Sequence, residues 1–164
     1  MKAWIALGSN LNQPKQQILD ACNEIDQLPY TKVIAGSKIY TSSPVGPQDQ
    51  DDFVNGCILI ETQYSPIELL DALQAIEQSH HRTRDRHWGP RTLDLDIILY
   101  DAIKLDTQRL IIPHPLAHKR LFVLLPLQDL QNNYPVTKLK NKNLTHWISL
   151  INDQEITTLN EFLI

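Results

Sequence analysis

The chain is predicted to be an α+β protein with a ferredoxin-like βαββαβ order. The expected sheet is antiparallel with three or four strands, with two helices on one face and further helices added at the C-terminal end. Three observations predict it. Apolar runs of strand length lie at residues 3–7, 32–40, 53–61 and 93–100. Segments with apolar residues at helical spacing lie between the first and second runs and between the third and fourth. A third helical pattern follows the last strand, at residues 120–130.

Each element has a local reason. The first strand ends at Gly8-Ser9-Asn10, and Pro14 suits the first turn of the helix that follows. Ile18, Ala21, Cys22 and Ile25 give that helix an apolar stripe, which ends near Leu28-Pro29. Residues 41–52, with Pro44, Gly46 and Pro47, have little periodicity and read as a long polar loop. In the strand at 53–61, Val54, Gly56, Ile58 and Ile60 fall on one face and Phe53, Asn55, Cys57 and Leu59 on the other. Ser65-Pro66-Ile67-Glu68 is a helix start, with Ser65 as N-cap, Pro66 at the first position and Glu68 closing a capping box. Leu69, Leu70, Leu73 and Ile76 point that helix inward. A basic loop occupies residues 79–92, and a turn with a short strand follows at 101–105. Pro113-His114-Pro115 stops any regular element, and Pro126 makes the helix at 120–130 irregular. Beyond Asn132 the pattern is weak. Residues 143–150 fit a helical turn or more, and the last residues either pack as a strand or fray.

At 164 residues the chain is expected to form one domain, and 42% hydrophobic with 21% charged residues is ordinary for a globular protein. A net charge of −4 argues against general nucleic-acid binding, which favours a broad basic surface. Cys22 and Cys57 are too few for a disulfide framework and sit among apolar neighbours, so buried free thiols and a cytoplasmic location are expected. Residues 1–7 have the length of a first strand and not of a signal peptide or membrane span. No glycine-rich phosphate cradle of the P-loop or dinucleotide type is present, so a nucleotide would be held by side chains.

The informative stretch is residues 82–96, RTRDRHWGPRTLDLD. Arg82, Arg84, Arg86 and Arg91 crowd into ten positions, and Asp94 and Asp96 follow at the start of a strand. Alternation puts both carboxylates on one strand face, where they repel each other and are costly to bury. A divalent cation between them relieves both penalties. Guanidinium forks suit phosphate oxygens. Carboxylates for Mg²⁺ with arginines for phosphate are the components of phosphoryl transfer. A surface lattice of ion pairs has the same composition, but Trp88-Gly89-Pro90 separates the arginines from the carboxylates, so the two groups can face each other across a pocket. Asn55 is a polar residue in an apolar strand, suited either to a structural bond or to a planar heterocycle, and Phe53 shares its face as stacking surface or core filler. Gln74 and Glu77 read best as a solvated helix edge. His114, between two prolines with Arg109 and Arg120 on either side, suits an anion-binding segment, while His80 and His81 read as surface residues.

These residues resemble the 6-hydroxymethyl-7,8-dihydropterin pyrophosphokinase family. The likeness rests on Arg82-x-Arg84 with Trp88-Gly89-Pro90-Arg91-Thr92-Leu93-Asp94-Leu95-Asp96-Ile97. Three further segments agree: Leu7-Gly8-Ser9-Asn10-Leu11; Pro44-x-Gly46-Pro47-Gln48-Asp49-Gln50 with Phe53 and Asn55; and Ile112-Pro113-His114-Pro115. The resemblance covers residues 3 to about 130. It implies a folate-pathway enzyme that moves the β,γ-diphosphate of ATP onto the pterin hydroxymethyl group and releases AMP. Asp94 and Asp96 would hold two Mg²⁺ ions, and Arg82 and Arg91 would neutralise phosphate charge in the transition state. Gln74, Glu77, Arg84, Trp88, Ile97, Arg109, His114 and Arg120 would line the ATP site. The pterin would lie between Phe53 and Phe122, bonded by Asn55 and the backbone of Ser42 and Val45, with Pro44 beside it and Trp88 closing over both ligands. The chain departs from the family pattern at Ser42-Ser43-Pro44, at Phe53 where tyrosine is frequent, and at Asp85 and His87 in a basic loop one residue shorter. The expected partners are the two substrates alone, without nucleic acid or membrane, and the expected state is a monomer. The competing functions are a metal-dependent nuclease or phosphohydrolase, and a non-catalytic binding module.

Overall fold

A computed structural model describes residues 1–43, 49–80, 92–136 and 138–164. Strand β1 (Lys2–Ser9) leads into helix α1 (Pro14–Asp26), and β2 (Thr31–Gly36) and β3 (Lys38–Ser42) follow. Next come β4 (Phe53–Thr62), helix α2 (Pro66–Ser79) and β5 (Asp94–Tyr100). A two-strand ribbon, β6 (Leu105–Asp106) with β7 (Ile111–Ile112), leads to a short 3-10 turn, Ala117–Lys119. Helices α3 (Leu121–Leu130) and α4 (Leu144–Ser149) and strand β8 (Ile156–Phe162) complete the chain.

The main sheet runs β5-β1-β4-β3-β8, with β2 also paired to β4, and each of these pairings is antiparallel. Its β5-β1-β4-β3 core has the ferredoxin-like order expected. Six strands replace the expected three or four for two reasons. The strand read at 32–40 is broken at Ser37, whose Oγ donates to the Lys38 carbonyl (2.7 Å) and accepts the Cys57 N–H (2.9 Å). The C-terminal residues also form β8, which pairs with β3 from Ser42↔Ile156 to Lys38↔Phe162 and settles the choice between strand and frayed end.

Helices cover both faces of the sheet: the two expected ones, α1 and α2, share one face, and the added α3 covers the other. Ile18, Ala21, Cys22 and Ile25 of α1 and Leu69, Leu73 and Ile76 of α2 pack on Ala3, Ile5, Leu7, Ile58 and Ile60. The added α3 lays Val123, Leu124, Leu127 and Leu130 on the other face, against Trp4, Cys57, Leu59 and Leu99. At ~25 cal/mol per Å² of apolar surface, two such interfaces dominate the favourable side of folding. The split of β4 into two faces is the one that its alternation predicts. The capping box at α2 is present: Ser65 N–H donates to Glu68 Oε2 (2.8 Å) and Glu68 N–H to Ser65 Oγ (3.4 Å).

A bulge in the β1–β5 pairing sets the phase of the carboxylate strand. Trp4 pairs with Leu99 but Ile5 with Ile97, so Ile98 is an extra residue. Ile97 and Tyr100 therefore enter the α1/α2 core, and Ile98 and Leu99 enter the α3 core. Asp94 and Asp96 share the α3 face with Ala6 and Gly8, their partners on β1. Among the described residues, no helix is long and apolar enough to cross a membrane. Cys22 and Cys57 are buried free thiols, and burial pushes the Cys22 thiol up to about 12.

Candidate active site

One cross-strand row defines the site. Gly8 is the partner of Asn55 on β4 and of Asp94 on β5, and Asn55 is the partner of Tyr40 on β3. The pterin candidate Asn55 and the metal candidate Asp94 thus flank a glycine on one face. A Cβ at position 8 would lie 2.9 Å from Asn55 Oδ1, so a larger residue there would have to displace the amide. Asn55 is 5% exposed and its Nδ2 donates to Ser42 Oγ at 3.1 Å. Phe53, two residues earlier on the same face, pairs with Ser42 and is half-buried. Asp96, also half-buried like Asp94, lies in the next row opposite Ala6. The β1 residues between the carboxylates and the amide, Ala6 and Gly8, are both small.

Ser9 and Asn10, which carried no role in the sequence reading beyond their motif, tie this row to the two long loops. Both are essentially fully buried. Ser9 Oγ donates to the Thr92 carbonyl at the end of the basic loop. Asn10 Nδ2 donates to Gln50 Oε1 (3.0 Å) and to the Asp51 carbonyl (2.9 Å) at the end of the polar loop. The signal that could have found them is a buried polar pair at the end of an apolar strand, which must find partners.

His114 is attached to the outer edge of β5 through its N–H, which donates to the Ile98 carbonyl at 3.0 Å. Its Nδ1 accepts the Leu116 N–H (3.2 Å), so the neutral ring carries its proton on Nε2. Burial, aided by the Arg120 charge and opposed by Asp94, pushes His114 down to about 4. It is therefore a neutral donor at physiological pH. Arg120 is the N-cap residue of α3, and its guanidinium lies 5.6 Å from the centre of the Phe122 ring. Phe122 and Ser42 line a cavity of about 250 Å³ together with Ser43 and residues 153–156.

The structure brings Asp94, Asp96, Asn55, Phe53, Ser42, Phe122, Arg120 and His114 to one end of the α3 face and the adjoining edge of β5. Three expectations need correction. Glu77 is 5% exposed, and its Oε1 accepts the Leu95 N–H at 2.8 Å, so it braces the carboxylate strand from α2 and is not part of a solvated edge. The Ile97 side chain is 2% exposed in the α1/α2 core, on the face away from the carboxylates, which leaves only its main chain to meet a ligand. His80 is not a surface residue. Its side chain is 9% exposed, with Nε2 2.6 Å from Glu24 Oε1 and Nδ1 against Gln17 Oε1. Gln74 is exposed one turn before Glu77. Arg109, half-exposed, pairs with Asp71 of α2 at 2.5 Å. The expected roles of Arg82, Arg84, Trp88, Arg91, Pro44 and Val45 fall outside the described residues.

A ferredoxin-like sheet with paired carboxylates, a neutral histidine and an arginine at one edge, and an amide with aromatic rings beside them, has the groups that nucleotide-dependent phosphoryl transfer can use. The comparisons agree. Residues 4–132 match the model of the 7,8-dihydro-6-hydroxymethylpterin-pyrophosphokinase (HPPK) family, and the chain belongs to that family. It is 50% identical over 129 residues to a 2-amino-4-hydroxy-6-hydroxymethyldihydropteridine pyrophosphokinase of Pseudomonas aeruginosa, covering 79% of this chain and 80% of that one. A protein of the same name from Haemophilus influenzae is 46% identical over 156 residues, 92% of this chain and 98% of that one. A Plasmodium falciparum HPPK-DHPS crystal structure with pteroate shares the fold, with a TM-score of 0.64 at 16% identity. It covers 91% of this chain, which spans only 42% of that longer one. The chain is thus an ATP-dependent pyrophosphokinase of folate biosynthesis, which transfers diphosphate from ATP to 6-hydroxymethyl-7,8-dihydropterin and releases AMP. Family membership sets aside the nuclease, phosphohydrolase and binding-module alternatives.

Proposed function

We propose that this reaction runs across the Asp94–Gly8–Asn55 row, with ATP on the carboxylate side and the pterin on the amide side. The observation that carries this reading is the shared register, which sets the two candidate groups on one face on either side of a glycine. Asn55 would pair its amide with the edge of the pterin, while Phe53 and Phe122 supply ring surface. His114 would donate its Nε2–H to a phosphate oxygen, and Arg120 would add a fixed positive charge. Arg82 and Arg91 are assigned to the β-phosphate, and Arg84, Trp88, Gln74 and Arg109 to the rest of the nucleotide, on the family pattern.

Two Mg²⁺ ions are assigned to Asp94 and Asp96. The donor set fits: two half-buried carboxylates at alternate positions of one strand supply hard oxygens. Among the described residues no group of three or more such donors occurs, so substrate phosphates would have to supply the remaining oxygens. When bound, Mg²⁺ polarises the phosphoryl oxygens and offsets the developing negative charge. The pterin hydroxymethyl oxygen attacks the β-phosphorus, the bond from the α,β-bridging oxygen to that phosphorus breaks, and the hydroxyl proton is released. The protein's part is to position the two substrates and to neutralise charge. The enzyme is taken to act as a cytoplasmic monomer, a location that the two buried free thiols support.

The test is incubation of the purified protein with ATP, Mg²⁺ and hydroxymethyl-dihydropterin. Formation of AMP with the pterin diphosphate, abolished by chelation of Mg²⁺, is expected. ADP as product, or turnover that survives chelation, would contradict the assignment.

A further inference from the structure

The family match ends at residue 132, yet the chain beyond it returns to the site. Ile156, the first residue of β8, pairs with Ser42, and residues 153–156 line the cavity that Ser42 and Phe122 share. From this segment the Gln154 side chain crosses to the start of α3. Its Oε1 accepts the Leu121 N–H at 2.9 Å and its Nε2 donates to the Lys119 carbonyl at 2.9 Å. Those two groups flank Arg120, the N-cap residue, which has no side-chain cap of its own. The Leu121 N–H belongs to the first turn, where helix donors need partners from outside the helix. One amide thus fills both ends of a gap in the backbone on either side of Arg120, one residue before Phe122.

We infer that Gln154 is a positioning residue for both substrates. It fixes Arg120 for the nucleotide phosphates and Phe122 for the pterin ring, and it joins them to the strand that carries Ser42. The inference rests on the roles proposed above for Arg120 and Phe122. The chemistry demands an amide. Glutamate keeps the acceptor for Leu121 but sets a carboxylate against the Lys119 carbonyl, and methionine keeps the volume but loses both bonds. Both Gln154 bonds act on the backbone beside Arg120 and not on the carboxylate strand, so substrate binding should be affected more than the reacting end.

The test compares steady-state kinetics and thermal unfolding of the Mg²⁺-loaded full-length protein with those of Gln154→Met and Gln154→Glu. Trp147→Phe serves as the control, because it removes a different tail anchor, the Nε1–H bond to the Leu139 carbonyl (2.7 Å). For Gln154→Met the expected result is a rise of about five- to tenfold in KM for ATP and for the pterin, of the size that lost hydrogen bonds give, with kcat within about twofold. Gln154→Glu should be at least as impaired. Trp147→Phe should lower the melting temperature and leave both KM values unchanged. Wild-type KM values in both Gln154 variants would overturn the inference while the assignment of Arg120 and Phe122 stood. KM changes in Trp147→Phe as large as those in Gln154→Met would also overturn it, by showing only that the tail stabilises the fold. A wild-type protein that forms no AMP would sink the parent reading, and this inference with it.

Discussion

Glu77 Oε1 accepts the main-chain N–H of Leu95 at 2.8 Å, between the two carboxylates Asp94 and Asp96. A buried acidic residue of α2 therefore holds the strand that presents the proposed metal ligands. Glu77→Ala should leave the Leu95 N–H without this acceptor, at a cost of about 1–3 kcal/mol. Glu77→Gln keeps an acceptor oxygen and should retain most of the stability. Thermal unfolding of the two variants checks this. If Glu77→Ala weakened ATP binding at an unchanged melting temperature, Glu77 would be a nucleotide contact and not a brace.

Gly8→Ala places a Cβ 2.9 Å from Asn55 Oδ1, so the amide must turn or β1 must shift. Overpacking of this kind costs about 1–3 kcal/mol. The loss should fall mainly on the pterin, because Asn55 is the group displaced. Calorimetry with each substrate should show pterin affinity reduced more than ATP affinity. An equal loss for both would place the strain in the strand as a whole.

His114 supplies a pH dependence. Its folded-state pKa is about 4, against an ordinary value near 6.5 in the unfolded chain. Between those two values the unfolded state holds the proton and the folded state does not. Stability should therefore rise with pH through this window, and the contribution should fade as pH falls from about 6.5 towards 4. Urea unfolding in metal-free buffer should show a steeper acid-side loss for the wild type than for His114→Gln. Identical slopes would mean that His114 is protonated in the folded protein at an ordinary pH.

The parts of the fold and site that could be read from sequence are those with a local period. Alternation placed Asp94 with Asp96 and split Asn55 from Gly56, and the spacing of Ser65 and Glu68 marked the start of α2. The parts missed depend on partners far along the chain. Ile98 becomes an extra residue only when β5 pairs with β1. The His80 side chain is largely covered because α1 brings Glu24 and Gln17 to it. Glu77 and Gln74 share a helix edge by spacing, and only the end of β5 separates the brace from the exposed amide. The weak alternation of residues 156–162 left β8 undecided, because the edge of β3 that completes it lies more than a hundred residues earlier.

The central claim is that Asp94 and Asp96 hold the Mg²⁺ on which diphosphate transfer depends. The most direct measurement is the Mg²⁺ dependence of AMP formation by Asp96→Ala, with a melting curve alongside. Loss of a hard oxygen ligand should lower turnover on the order of 100-fold or more, since each ~1.36 kcal/mol lost from transition-state stabilisation is a tenfold change in rate. The side chain is only half-buried, so the melting temperature should move by only a few degrees. AMP formation at the wild-type rate and at the same Mg²⁺ concentration would contradict the account and remove Asp96 from the site.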